Sequence, residues 1–156
     1  SWEEAQDHFL QAWNIRPHRA EPLYQLARIH RQNGNPRLGY LFAKTAMNIP
    51  FPQGDILFLA NDVYEWQIAD ELASSAYYVG DMVAGLEASN KLLEDKKFPD
   101  SEKDRIVNNF SQYAKWPEEQ NAAQQKVQQE LLQKQVEEKM KRTKAPAPRR
   151  KKKAKK

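Results

Sequence analysis

Cysteine is absent from the 156 residues. That excludes disulfides and thiolate chemistry, and it leaves any zinc site without sulfur ligands. It also suits a cytoplasmic chain. No apolar run approaches the roughly 18 residues that span a bilayer, and no secretory signal is visible. Acidic residues are missing from 139–156, where eleven residues are Lys or Arg. Residues 1–138 therefore carry 14 basic and 21 acidic side chains, and the net charge of +4 averages an acidic body with a basic tail. A chain that opens on Ser1 rather than methionine reads as a piece of a longer one.

The constellations that carry catalysis are also missing. No Ser-His-Asp or Cys-His arrangement can be assembled. The histidines His8, His18 and His30 lack a second ligand at i+4 spacing on a shared face, so they read as surface or packing residues rather than metal ligands. Only five glycines are present and none builds a phosphate-cradling loop. Asp70-Glu71 reads as part of a solvated helix face. The chain is expected to be non-catalytic, with no cofactor, no metal and no small-molecule substrate.

What is present is a repeated spacing. Ala5, Phe9 and Ala12 are followed 34 residues later by Gly39, Ala43 and Ala46, and a third copy starts at Leu72-Ala73 and runs through Gly80 and Gly85. A fixed period of this length points to stacked helix pairs. Trp2, Ala5, Phe9, Ala12 and Trp13 form one apolar face of a first helix, which Pro17 stops. A second helix runs over 20–32 with Leu23, Leu26, Ala27 and Ile29 inward. Asn33-Gly34-Asn35 makes a turn in which Gly34 takes the left-handed conformation. Pro36 opens a third helix, expected to bury Leu38, Leu41, Phe42, Ala46 and Met47.

Residues 51–59 break the rhythm and read as a loop that tucks onto the core. The spacing then predicts helices over 63–79, 82–94 and 101–113, the last closing through Ile106, Val107 and Phe110. Between Gly34 and Gly80 the interval is 46 residues, so twelve extra residues lie between repeats. Trp66, Tyr64 and Tyr78 are expected in the core, holding that insertion. After Pro117 a Gln/Glu/Lys-rich polar helix is expected over 116–142, without a sustained heptad. Residues 143–156 cannot bury a core and read as a disordered basic tail.

The pattern resembles the tetratricopeptide repeat. Ala27, Gly39 and Ala46, then Ala73 and Gly85, stand where that family places small residues between paired helices. Leu23, Leu26 and His30 occupy its usual Trp, Leu and Tyr positions. The resemblance covers about residues 2–95. It implies an all-α fold: an antiparallel helix-pair solenoid of about two and a half repeats over residues 1–115, followed by the polar helix and the tail. Arg16 to Tyr24, Tyr40 to Lys44, Ile49 to Pro52, Asp62 to Trp66 and Ala76 to Gly80 more narrowly resemble the repeat region attached to certain bacterial and large-virus glycosyltransferases. No Asp-x-Asp is present, so any transferase activity would lie in a separate domain.

A helix-pair solenoid lines its inner groove with the first helix of each pair. That groove would present Glu21, Tyr24, Arg28 and Arg31 from one helix and Gln67, Asp70, Ser74 and Tyr77 from the next, to a protein or peptide partner. The implied function is a protein-interaction scaffold accessory to a glycosyltransferase. One alternative is a glycosyltransferase fragment lacking its catalytic domain. The other is an adaptor whose tail, through Arg149, Arg150, Lys151, Lys152 and Lys153, contacts nucleic acid or an anionic membrane. The tail contains no aromatic residue, so nucleic-acid binding would be non-specific and salt-sensitive. Lys141-Arg142 and residues 149–153 also form two clusters of the nuclear-import kind.

Overall fold

A computed structural model describes residues 1–55 and 58–144, with side chains described through residue 141. Among the described residues every regular element is helical. The α-helices are α1 (Trp2–Ile15), α2 (Glu21–Gln32), α3 (Pro36–Met47), α4 (Ile68–Ala76), α5 (Met82–Asp95), α6 (Lys103–Ala114) and α7 (Trp116–Lys144). A π-helical turn, Val63–Gln67, leads into α4, and a 3₁₀ turn, Tyr77–Val79, tightens its end. Among the described residues no helix is long and apolar enough to cross a membrane.

Local chemistry explains the boundaries. Pro22 and Pro36 sit in the first turns of α2 and α3, where a missing N–H costs nothing. Gly34 (φ +75°) and Gly80 (φ +76°) supply the left-handed residues in the two turns that precede α3 and α5. The Asp81 carboxylate caps α5 by accepting the Ala84 N–H at 3.0 Å.

The chain divides into two units at Trp116/Pro117. In the first, each helix from α1 to α6 packs on the next, while α2 also touches α4 and α4 touches α6. One core cluster joins Ala20, Leu23, Leu26 and Ala46 to Val63 and Ile68. The other joins Ala27 and Ala43 to Trp66, Leu72, Leu92 and Ile106. In the second unit α7 is exposed from Glu118 onward over its described side chains, Val127, Leu131, Leu132, Val136 and Met140 included.

Several expectations are corrected. Helix α3 buries Gly39, Ala43 and Ala46 and leaves Leu38, Leu41 and Met47 exposed. It is pressed against both α2 and α4: a Cβ at Gly39 would lie 3.1 Å from the Ala27 carbonyl and 3.2 Å from Ser75 Oγ. No leucine fits such a seam, so the small residues face inward. Asp70 and Glu71 are buried rather than solvated, because arginines from neighbouring helices answer both. Tyr78 and Val107 are exposed, since neither belongs to the inward face of its element. Trp66 is buried as expected.

The described part of the 51–59 segment is held by charge, with the Phe51 ring edge-on to Tyr64 at 5.3 Å. Asp55 accepts from Arg16 at 2.7 Å and from Arg19 at 3.1 Å, and Arg19 also donates to the Phe58 carbonyl at 2.8 Å. The Phe58 ring is 93% exposed. Ile56 and Leu57, the middle of the expected tuck, lie outside the described residues.

Candidate interaction cleft

Helices α2, α4 and α6 bring side chains to one polar cleft of about 420 Å³. Its lining is Arg31, Gly34, Pro36, Ser74, Tyr78, Arg105 and Asn109. The helical period sets the spacing: Ser74 and Tyr78 are four apart, as are Arg105 and Asn109, so each pair shares a face.

Two arginines are fixed from below. Arg31 donates from Nε and Nη2 to the two oxygens of Glu71, at 2.6 and 2.9 Å. Arg105 donates from Nη1 and Nη2 to Asp70, at 3.0 and 2.8 Å, and from Nε to Glu102 at 2.8 Å. Both guanidiniums meet their buried carboxylates as two-pronged forks, the geometry that best fixes direction. The carboxylates lie beneath, with side chains 4% and 8% exposed, and the guanidiniums form the rim, at 32% and 41%. The hydrogen bonds that Arg31 donates to Glu71 and Arg105 to Asp70 raise the pKa of both above the ordinary guanidinium value, against burial. Both therefore stay charged throughout the working pH range.

Asn109 Nδ2 donates to Ser74 Oγ at 3.2 Å and ties α6 to α4. The rim thus offers guanidinium, amide, hydroxyl and phenol groups. That mixture can fix the register of a polypeptide by hydrogen bonding and stacking, and it holds no nucleophile paired with a base.

Of the residues expected in a groove, Arg31 and Ser74 line this cleft. Arg28 is exposed on α2, and Tyr77 is exposed at the end of α4, edge-on to Tyr78 at 5.9 Å. Gln67 is half-buried in the π-helical turn. Glu21 is taken by Arg19 at 2.6 Å and by the Tyr64 hydroxyl at 2.7 Å, so it is engaged elsewhere. Tyr24 and Asp70 are buried and cannot be presented: Tyr24 belongs to the core, and Asp70 anchors Arg105. Tyr78, Arg105 and Asn109 were not anticipated. The available signal was that α6 follows α2 and α4 as the next alternate helix, with a polar i, i+4 pair on one face.

Arg149, Arg150, Lys151, Lys152 and Lys153 lie outside the described residues. Among the described residues no group of three or more His, Asp or Glu side chains is placed to hold a metal ion. No protein-family model, curated protein or solved structure matches this chain.

Proposed function

We propose that the chain is a non-catalytic interaction module of the tetratricopeptide kind, a helix-pair solenoid whose cleft across α2, α4 and α6 receives a peptide segment of a partner protein. The observation that carries this reading is the convergence of three alternate helices on one cleft whose arginines are pre-aimed by buried carboxylates. Side chains already held in one rotamer lose little entropy on binding, which leaves more of the contact energy for affinity. The 34-residue offset and the small residues buried at Gly39, Ala43 and Ala46 support the repeat assignment. The narrower resemblance makes a glycosyltransferase domain the natural neighbour of such a module.

Selection of a displayed random-peptide library on the folded chain tests this. The counter-variant is Tyr78→Ala with Asn109→Ala, which strips two rim groups and leaves both buried ion pairs intact. Selected peptides should lose at least tenfold in affinity for the variant while its melting temperature stays within a few degrees. Peptides that bind both forms equally would place recognition on another face.

A further inference from the structure

The lining of the α2/α4/α6 cleft is matched in charge but unmatched in hydrogen bonding. Glu71 is spent on Arg31, and Asp70 and Glu102 are spent on Arg105, so each guanidinium already has its counter-charge. Spare donors remain. A guanidinium carries five N–H groups. Arg31 gives two of them to Glu71 and keeps three; Arg105 gives two to Asp70 and one to Glu102 and keeps two. Asn109 Nδ2 gives one N–H to Ser74 Oγ and keeps the other, while Ser74, the acceptor in that bond, keeps its own proton. Against these donors the lining offers no carboxylate, since Glu71 and Asp70 are buried beneath it and Glu102 stands outside it.

Neutral acceptors that bring no donors of their own fit this imbalance. An incoming carboxylate or phosphate finds no unpaired charge to neutralise, because both arginines are answered from below. A helical ligand has its carbonyls closed internally. An extended strand brings an N–H with every carbonyl, and a donor-rich lining leaves those N–H groups unsatisfied. Proline has no N–H, and in a PPII helix every backbone carbonyl stays unpaired. The apolar part of the cleft suits the same ligand. Pro36 and Tyr78 line it, and Tyr77 stands edge-on to Tyr78 at 5.9 Å, so two half-exposed rings meet at 89° beside the donors. Grooves that combine aromatic rings with such donors are where PPII segments dock.

We infer that the segment received by the cleft is proline-rich and binds in the PPII conformation, its carbonyls accepting from Arg31, Arg105 and Asn109 and its pyrrolidine rings lying against Tyr78 and Tyr77. This rests on the reading of the cleft as a peptide site and narrows it to one class of peptide. Proline's fixed φ also lowers the entropy that the segment loses on docking.

The test uses the full chain and three fluorescent peptides of equal length, read by anisotropy. One is built of Pro-Pro-Ala repeats, one has each proline replaced by alanine, and one alternates Ala with Glu. The proline peptide should bind at least tenfold tighter than either of the others. Its affinity should change less than twofold between about 50 and about 500 mM salt, because the accepting groups are neutral. Asn109→Asp keeps the shape and exchanges a donor for an acceptor; it should weaken the proline peptide at least tenfold, as should Tyr78→Ala, with both melting temperatures within a few degrees of the parent's. Tighter binding of the Glu peptide, or equal binding of the alanine peptide, overturns the proline assignment and leaves the cleft a peptide site. If none of the three binds, the proline assignment is overturned, and the library-selected peptides show whether the cleft falls with it: loss of their binding to Tyr78→Ala/Asn109→Ala keeps the cleft, and equal binding removes it. A gain in affinity with Pro146→Ala/Pro148→Ala also overturns the assignment to a partner, because the occupant is then the chain's own Ala-Pro-Ala-Pro run at 145–148.

Discussion

Tyr113 occupies the space that a side chain at Gly85 would need. A Cβ built on Gly85 would lie 2.2 Å from Tyr113 Cε1 and 2.4 Å from its Cζ. The ring is fully buried, and its hydroxyl donates to the Ala73 carbonyl and accepts the Tyr77 N–H at 3.0 Å. Those two groups belong to one i, i+4 rung, so the phenol inserts into the last turn of α4 where the helix tightens to 3₁₀. One side chain of α6 thereby fixes the end of α4 and the close approach of α5.

Gly85→Ala should therefore destabilise, although alanine is the better helix former by about 1 kcal/mol. Overpacking a rigid ring costs about 1–3 kcal/mol, and displacing the hydroxyl strands buried polar groups for about 1–3 kcal/mol more. A net loss of roughly 1–5 kcal/mol should appear in urea denaturation as a lower midpoint with an unchanged slope. Adding Tyr113→Leu to Gly85→Ala should cost far less than the two single losses summed, since contacting residues are not additive.

That pairing marks where sequence reading stops. The 34-residue offset, the prolines at helix starts and the turn glycines made the succession of helices legible, because those signals act within a few residues. Gly85 was legible as small, but nothing local names Tyr113, 28 positions on, as the reason. Leu38 and Leu41 failed for a related cause: apolar periodicity assumes that the largest side chains face inward, and α3 lies in a seam too narrow for them. Asp70 and Glu71 read as solvated because a charge is normally solvated; only the third dimension brings Arg105 and Arg31 to them. Half of the cleft was hidden by the same step.

Arg31→Ala should expose the strength of one such anchor. Removing one partner of a fully buried ion pair costs about 3–5 kcal/mol. Arg31 keeps part of its guanidinium in water, so about 2–3 kcal/mol is expected here. Arg31→Ala with Glu71→Leu should recover most of the loss, since an apolar pair leaves no charge without a counterion. Thermal melts of the two variants check both the sign and the rescue.

Asp55→Ala should release the loop before α4 without unfolding the body. Asp55 accepts from Arg16 and Arg19, and Arg19 in turn holds the Phe58 carbonyl. Phe58 is nearly fully exposed and carries φ +61°, a left-handed conformation that costs a non-glycine residue about 1–2 kcal/mol. Cleavage by chymotrypsin after Phe58 should rise several-fold in the variant, while the circular dichroism melt stays close to the parent's because Asp55 belongs to neither core cluster. Unchanged cleavage would show that the loop is held by other contacts.

The corner below that loop should announce itself in alkali. Tyr64 donates to Glu21 and accepts the Ala20 N–H, and burial beside the Glu21 carboxylate pushes its phenol up to about 12. A phenol whose pKa is raised by folding stabilises the protein up to its ordinary value of 10.0, and that contribution is lost as the pH climbs toward 12. Tyr64→Phe should remove one late step from the phenolate absorbance titration and flatten the fall in stability over that interval.

Acid should act first through His30. Its ring is 3% exposed, stacked on Phe42 at 5.4 Å and edge-on to Trp2 at 5.8 Å, and Nδ1 is buried without a hydrogen-bond partner. A proton on Nδ1 would place an N–H and a charge where nothing accepts them, so burial lowers the pKa below its ordinary 6.5. The unfolded chain then binds the proton first, and stability falls as the pH drops through 6.5 toward the lower folded value. The carboxylates act later. In Glu21 and Asp55 burial is the largest influence and pushes upward, but the donors together outweigh it, Arg19 with Tyr64 at Glu21 and Arg19 with Arg16 at Asp55, and in Asp81 the bond from Tyr40 leads; all three are lowered, so their contributions persist above the ordinary 4.5 or 3.8 and are lost only as the pH falls further. Between pH 6.5 and 5 the decline in melting temperature should therefore belong to His30. His30→Leu should remove it within that window while leaving the steeper loss near pH 4 in place. A His30→Leu variant that declines as the parent does would overturn His30 as the titrating group.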